Sequence, residues 1–136
     1  MRRRQSDQKL AWLQEVLPLA DLPHRELAAL GATADRASVV AGTVLARQGE
    51  VGREAFLVIS GEVDVVRDGV TLARLGSGEV VGEMALLGGW YRTADVVAVD
   101  DVEVVVFDVR SFTSALESSP ALRRHVDAAA ESRTAA

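Results

Sequence analysis

The chain has 136 residues, of which 49% are hydrophobic, and its 15 basic and 20 acidic side chains give a formal net charge of -5. This length fits one domain over residues 1–136, and the apolar content excludes a disordered segment. The absence of cysteine excludes disulfides, thiol catalysis and cysteine-bound metal clusters. No apolar run approaches the roughly 20 residues of a membrane span, and polar residues follow the basic start, so we expect a cytoplasmic protein with no membrane partner.

Two helices are predicted in residues 7–31, where apolar side chains recur at helical spacing. Pro18 separates the two helices, Pro23 can open the second, and Gly31 is expected just past its end. From residue 34 the hydrophobic period drops to two, which predicts that β-strands follow.

Eight short strands are predicted between residues 34 and 108, separated by glycine and aspartate turn signals. They are residues 37–40, 43–46, 55–60, 63–67, 70–75, 80–81, 93–99 and 102–108. The pair Asp68-Gly69 predicts a tight hairpin. Helical spacing returns over residues 109–131, with a break near Pro120. The expected fold is mainly β with flanking helices, in which the strands form an eight-stranded jelly roll, or double-stranded β-helix.

One segment of the predicted roll, GEMALLGGWYRTAD at residues 82–95, has the features of a binding loop. Gly82 lets the backbone approach a ligand closely, and residues 84–87 can form a turn of helix whose free N–H groups favour an anion. The guanidinium of Arg92 suits a phosphate. Glu83 is a poor phosphate ligand but a good acceptor for sugar hydroxyls. Phosphate and ribose together indicate a nucleotide.

This segment resembles the phosphate-binding cassette of cyclic nucleotide-binding domains, the module of catabolite-activator-type regulators, kinase regulatory subunits and nucleotide-gated channels. The family pattern is G-E-[LIM]-[AG]-L, a short loop and then R-[AST]-A, and this chain has GEMAL followed by RTA. The stretches AGTVLARQGEVGREAFLVISGEVDVV and DVEVVVFDVRSF also look like the first half and the last strand of the family roll. The resemblance therefore covers residues 10–128.

The resemblance implies a site for cAMP or cGMP and gives its residues roles. Glu83 would accept a hydrogen bond from the ribose 2′-hydroxyl, and Arg92 would pair with the cyclic phosphate. Backbone N–H groups of Ala85 and near Thr93 and Ala94 would complete the phosphate cradle. The expected ligand-binding residues are Gly82, Glu83, Met84, Ala85, Arg92, Thr93 and Ala94. No catalytic residue, metal ligand or further cofactor is implied.

The resemblance also implies a C-terminal helical lid, whose movement on binding would be the signal. In the family the base is usually capped by a side chain from the last helix. The candidates in this chain are Arg124, His125, Val126 and Ala129. The sequence does not distinguish among these four.

Asp95 departs from the family pattern, since many relatives have Ser or Thr there. On a strand, Thr93 and Asp95 share a face, so this carboxylate would repel a phosphate or draw Arg92 away. Such a charge pair is worth on the order of 1–4 kcal/mol, depending on exposure. We expect Asp95→Ser to tighten binding, whereas an unchanged affinity would mean that Asp95 faces solvent.

Three functions are compatible with the sequence. The first is a cyclic nucleotide receptor, most simply for cAMP, that signals to a protein partner or through self-association. The second is a degenerate module that keeps the fold for protein contact or dimerisation, which Asp95 and the Trp90-Tyr91 pair favour. The third is a sensor fragment of a transcription regulator, although the acidic charge fits duplex DNA poorly and no nucleic-acid partner is expected for this chain. An enzyme is not expected, because no nucleophile lies beside a base and no metal set is present.

Overall fold

The computed structural model describes the backbone of residues 11–82 and 91–135, and the side chains of these residues up to position 128. The helices in these ranges are α1 (residues 11–16), α2 (His24–Thr33), α3 (Val109–Ser118) and α4 (Pro120–Ala135). The strands are β1 (Asp35–Val39), β2 (Val44–Ala46), β3 (Glu54–Ser60), β4 (Val63–Arg67), β5 (Val70–Leu75), β6 (Val80–Val81), β7 (Asp95–Ala98) and β8 (Val102–Asp108).

The strands form two antiparallel four-stranded sheets. Sheet A has the order β1-β8-β3-β6, and sheet B has the order β2-β7-β4-β5. In sheet A the central strands β3 and β8 pair with Phe56 opposite Val106 and Leu57 opposite Val105. This arrangement, with helices before and after it, confirms the predicted jelly roll with flanking helices.

Sheet A separates two apolar cores, because successive side chains of a strand point to opposite faces. On β3, Ala55 and Leu57 face the helices, whereas Phe56 and Val58 face the interior of the roll. We call the first cluster the helical core. Its buried members are Leu13, Leu17, Leu19, Leu22, Leu30, Ala34, Ala55, Leu57, Val80, Val105, Phe107, Val109, Phe112, Ala115, Leu122 and Val126. We call the second the roll core. Its buried members are Ala46, Phe56, Val58, Val63, Leu75, Val81, Val96, Ala98, Val102 and Val104.

The hairpin predicted at Asp68 and Gly69 is confirmed. Both residues have positive φ, 52° for Asp68 and 79° for Gly69. Left-handed backbone at both central positions is typical of the type I′ turn, whose twist matches that of the flanking strands. The two turn residues therefore set the register in which β4 and β5 pair.

Several predicted boundaries differ from the structure. The prediction that Gly31 lies past the end of α2 is wrong, because the helix continues to Thr33 and Gly31 is buried within it without a positive φ. The first strand begins two residues early, at Asp35, since it pairs with β8 along its whole length. The seventh strand begins at Asp95, so Thr93 precedes it. The last helix extends to Ala135, beyond the predicted limit of 131, and the predicted break near Pro120 is confirmed at Ser119.

Candidate functional site

Arg92 lies in a short antiparallel contact just before β7. Its N–H donates to Glu50 O over 2.7 Å, and its carbonyl accepts from Gly49 N–H over 2.9 Å. Val51 and Tyr91 form an isolated bridge in the same contact. The backbone of Arg92 is thus fixed against the turn between β2 and β3, so its side chain leaves a defined point at the edge of the roll.

The Arg92 side chain runs over the roll core towards Gly82. Its Cζ lies 5.5 Å from the centroid of the Phe56 ring, within the range of a cation–π contact. Its Nη1 donates to Gly82 O over 3.2 Å. Burial lowers the pKa of Arg92 below its ordinary value, while the nearby charge of Glu54 acts in the opposite direction. Because arginine stays protonated in proteins, the site contains a half-buried cation that has lost part of its hydration.

Two glycines border the guanidinium of Arg92. A Cβ on Gly52 would lie 2.5 Å from Arg92 Cδ, closer than real Cβ contacts. A Cβ on Gly82 would lie 2.7 Å from Arg92 Nη1 and 3.0 Å from Glu54 O, and the φ of +98° at Gly82 also favours glycine. The missing side chains at these two positions therefore leave room for the arginine head group. The guanidinium is a fixed cation between two glycine backbones, and such an environment suits a compact anion.

The structure brings together some of the expected ligand-binding residues. Gly82 and Arg92 are joined by a hydrogen bond. Ala94 is buried, and the exposed Thr93 follows Arg92 directly, its carbonyl accepting from Arg67 Nε over 3.0 Å. The remaining expected residues Glu83, Met84 and Ala85, and the turn of helix predicted over 84–87, lie outside the described residues.

The position and contacts of Asp95 differ from those predicted from strand geometry. Its Oδ1 accepts from the backbone N–H of Gln48 over 2.6 Å. The Gln48 side chain exchanges two hydrogen bonds with Asp68, one to its carboxylate over 2.9 Å and one from its N–H over 3.0 Å. The expectation that Asp95 shares a strand face with Thr93 is wrong because β7 begins only at Asp95. The Asp95 carboxylate instead holds the turn between β2 and β3 through its hydrogen bond from Gln48 N–H.

Of the candidate lid residues, Val126 lies on the other side of sheet A from Arg92. Val126 is buried in the helical core, whereas Phe56, beneath Arg92, belongs to the roll core. His125 Nε2 lies 2.7 Å from Gly78 O. Arg124 is exposed, and the side chain of Ala129 lies outside the described residues. In this structure, therefore, the three described candidates are not gathered at the site.

The residues that surround the Arg92 side chain were not predicted from the sequence. Phe56 falls in the predicted strand 55–60 and Gly52 among the glycines between predicted strands, and neither residue was predicted to contact Arg92. Gly52 does not have the positive φ of Gly49, so the turn alone does not require it. Its proximity to Arg92 comes from a contact between residues about 40 positions apart in sequence, which no local pattern encodes. The conformation of Gly52 is seen only in the structure, so the sequence carried no signal for this contact.

Among the described side chains of residues 11–82 and 91–128, no group of three or more His, Cys, Asp or Glu is arranged to hold a metal ion. Across residues 11–82 and 91–135 none of the helices has the length and apolar character needed to cross a membrane.

Residues 36–119 match the family model of the cyclic nucleotide-binding domain. The chain is 39% identical over 85 residues to the cGMP-dependent protein kinase egl-4 of Caenorhabditis briggsae, a match that covers 62% of this chain and 11% of the kinase. It is 33% identical over 123 residues to the uncharacterized NTE family protein Rv2565 of Mycobacterium tuberculosis, covering 90% of this chain and 21% of that protein. The chain thus spans about a tenth to a fifth of these relatives' length.

Solved structures share the fold. The regulatory subunit of a cAMP-independent protein kinase A from Trypanosoma brucei superposes with a TM-score of 0.75 at 24% identity, covering 96% of this chain and 46% of that one. The cAMP-bound PfPKA-R structure superposes with a TM-score of 0.71 at 25% identity, covering 84% of this chain and 40% of that one.

Proposed function

Because the chain belongs to the cyclic nucleotide-binding domain family, we propose that it is a regulatory module that binds a cyclic nucleotide, most simply cAMP, at Arg92 and signals through its C-terminal helices. One observation carries the proposal: the half-buried Arg92 guanidinium lies between Gly52 and Gly82 in the cassette that matches the family pattern. A cyclic phosphate there would pair with a cation that burial has left short of solvation.

Each part of the proposed site has a separate role. Arg92 would bind the phosphate oxygens through its planar fork, and the backbone near Thr93 and Ala94 would add N–H donors. Glu83 would accept from the ribose hydroxyl. None of these groups breaks a bond in the ligand, so the module would act by binding alone. The signal would be a displacement of α4, which packs in the helical core in this structure.

The choice of nucleotide rests on two similar proteins that differ. The PfPKA-R structure contains cAMP, whereas the egl-4 kinase depends on cGMP. We therefore propose titrating the purified chain with both nucleotides by calorimetry, after unfolding an aliquot to detect nucleotide carried through purification. Saturable binding of either would support the receptor function and give the base preference.

Arg92→Ala tests the site itself. We expect it to lower nucleotide affinity by at least about a hundredfold, because it removes the charge that the phosphate requires. Arg92→Lys keeps the charge without the bidentate fork and should give an intermediate loss. Arg74→Ala is the matched control, since Arg74 is exposed on sheet B and pairs with Asp64 at 2.8 Å. Circular dichroism would establish that all three variants are folded. If Arg92→Ala bound as well as the parent, the site would be wrongly assigned.

A second function would follow from a negative titration. Val51 and Tyr91, both more than half exposed, form an apolar pair beside the site. If the folded, nucleotide-free chain bound neither nucleotide, this pair would favour the non-binding module that serves protein contact or dimerisation. If the chain is part of a longer protein, the same domain could be the sensor of a transcription regulator, and the test of nucleotide binding would be unchanged.

A further inference from the structure

The helix α4 has a polar contact in the middle of its buried face. His125 lies between Leu122 and Val126, which are both buried in the helical core. Its Nε2 is 2.7 Å from the carbonyl oxygen of Gly78. A carbonyl only accepts hydrogen bonds, so Nε2 must carry the hydrogen, as it does in one neutral tautomer and in the charged ring. His125 is therefore the donor that joins α4 to Gly78.

Gly78 begins a short segment, residues 78–82, that leads into the candidate site. The segment is held to β3 by hydrogen bonds from Gly78 N–H to Val58 O over 2.8 Å and through the pairing of β6. It ends at Gly82, whose carbonyl accepts from Arg92 Nη1. At about 3.3 Å per residue it spans roughly 13 Å. Gly78 thus contacts α4, and Gly82 contacts Arg92, the side chain proposed to bind the phosphate.

We propose that His125 is a latch that holds α4 in the helical core and couples its position to Arg92 through segment 78–82. This inference rests on the proposed function. Because α4 packs in the helical core and Arg92 lies over the roll core on the other side of sheet A, a movement that carried His125 towards the site would break its contact with Gly78. His125 is then a positioning residue for the arrangement in which α4 packs in the helical core, and not a contact to the base. The latch opposes binding by stabilising the open arrangement.

The geometry of β6 suits this coupling. It is an edge strand of two residues that pairs on one side only, with Leu57 opposite Val80 and Phe56 opposite Val81. Both of its side chains are buried, Val80 in the helical core and Val81 in the roll core, so a displacement at one end of the strand is passed to the other end. If Arg92 turned towards a phosphate, Gly82 would be displaced. This displacement would therefore move Gly78 and strain its hydrogen bond with His125.

The first arm of the test uses nucleotide-free protein and amide hydrogen exchange. His125→Ala should lose protection in α4 and in segment 78–82. His125→Gln keeps an N–H donor at a similar reach and should resemble the parent. Arg123→Ala is the control on the same helix, since Arg123 is exposed and makes a surface pair with Asp127 at 3.5 Å. If His125→Ala left the protection of α4 unchanged, there would be no latch.

The second arm titrates the same four proteins with cAMP and with cGMP. His125→Ala should bind roughly three- to tenfold more tightly, the range expected for removing one hydrogen bond from the competing state. His125→Gln and Arg123→Ala should bind like the parent. Lost protection with unchanged or weaker affinity would overturn the coupling and leave His125 a structural residue. If the parent bound neither nucleotide, the proposed function and the coupling would both fail, while the exchange arm would still decide whether the latch exists.

Discussion

At the scale of single residues, the candidate site depends on what fixes Arg92. Its backbone is hydrogen-bonded to the turn that contains Glu50, and its side chain covers Phe56. The same turn is fastened by Asp95 through the N–H of Gln48. Asp95 therefore helps to hold the backbone that supports Arg92, which gives this carboxylate a structural role beside the proposed anion site.

The substitution Asp95→Ser tests this role. We expect it to lower the free energy of unfolding by about 1 kcal/mol, because the N–H of Gln48 loses a charged acceptor. We expect no gain in nucleotide affinity, in contrast to the expectation from sequence. Urea unfolding and calorimetric titration measure the two effects. Asp95→Asn keeps an oxygen at the same place and should be affected less. Tighter binding at unchanged stability would show that the carboxylate faces the ligand after all.

At the scale of elements, the start of α4 is fixed by a residue distant in sequence. Ser119 is fully buried, and its Oγ accepts from Leu122 N–H over 3.0 Å while it donates to Asp21. The other oxygen of Asp21 accepts from Ala121 N–H over 3.1 Å. Free N–H groups of the first turn of α4 are thus satisfied by two side chains. Asp21 anchors the hinge about which the lid would move.

This anchor makes stability depend on pH. The hydrogen bond from Ser119, then that from Ala121, lowers the pKa of Asp21 below its ordinary value of 3.8. A carboxyl whose pKa is lower in the folded than in the unfolded state contributes stability above the unfolded value, and this contribution is lost as the pH falls below it. We therefore expect the parent to melt at a higher temperature than Asp21→Asn at pH 7, and the difference to shrink below pH 3.8.

Melting temperatures between pH 7 and pH 3 measure this effect. Asp127→Asn is the matched control, because Asp127 is an exposed carboxylate on α4, the helix that Asp21 anchors. Comparison with this control subtracts the acid sensitivity that both variants share through other carboxylates. These include Asp64 and Glu103, whose pKa values are lowered by Arg74 and Arg36, respectively. A difference for Asp21→Asn that stayed constant with pH would contradict the assigned cause.

At the scale of the whole molecule, sheet A joins the two cores into one structure. Leu57 faces the helical core, and its neighbours Phe56 and Val58 face the roll core. Loss of packing on one face displaces the same backbone that supports the other, because protein interiors are closely packed. The helices and the roll should therefore unfold together.

Leu57→Ala tests this cooperativity. Truncating a fully buried leucine should lower the free energy of unfolding by about 2–5 kcal/mol. Far-UV circular dichroism, which follows the whole backbone, and the fluorescence of Trp12, which packs against the helical core, should shift to the same lower urea midpoint. Trp90→Phe would make Trp12 the only tryptophan. The control Leu72→Ala changes a leucine that is 47% exposed and should cost about 1 kcal/mol or less. Separate midpoints for the two probes would show independent units.

The sequence by itself predicted the elements and the family. Alternating hydrophobic residues located the eight strands, the pair Asp68-Gly69 located a hairpin, and the GEMAL and RTA motifs indicated a nucleotide cassette. These features are local, since backbone preference and side-chain period act over a few residues. The helix end at Gly31 was one of the local predictions that failed, because the helix continues to Thr33 and ends at Ala34 in extended backbone without a left-handed cap.

Only the tertiary structure decided which distant residues meet. It placed Arg92 over Phe56 and against Gly52, joined Asp95 to Gln48, and brought His125 to Gly78 and Asp21 to Ser119. Each of these contacts closes a long stretch of chain, so its partners depend on how the sheets and helices pack and leave no periodic trace in the sequence. The residue types of the site were therefore readable from the chain, whereas the supports of Arg92 and the anchors of α4 required the fold.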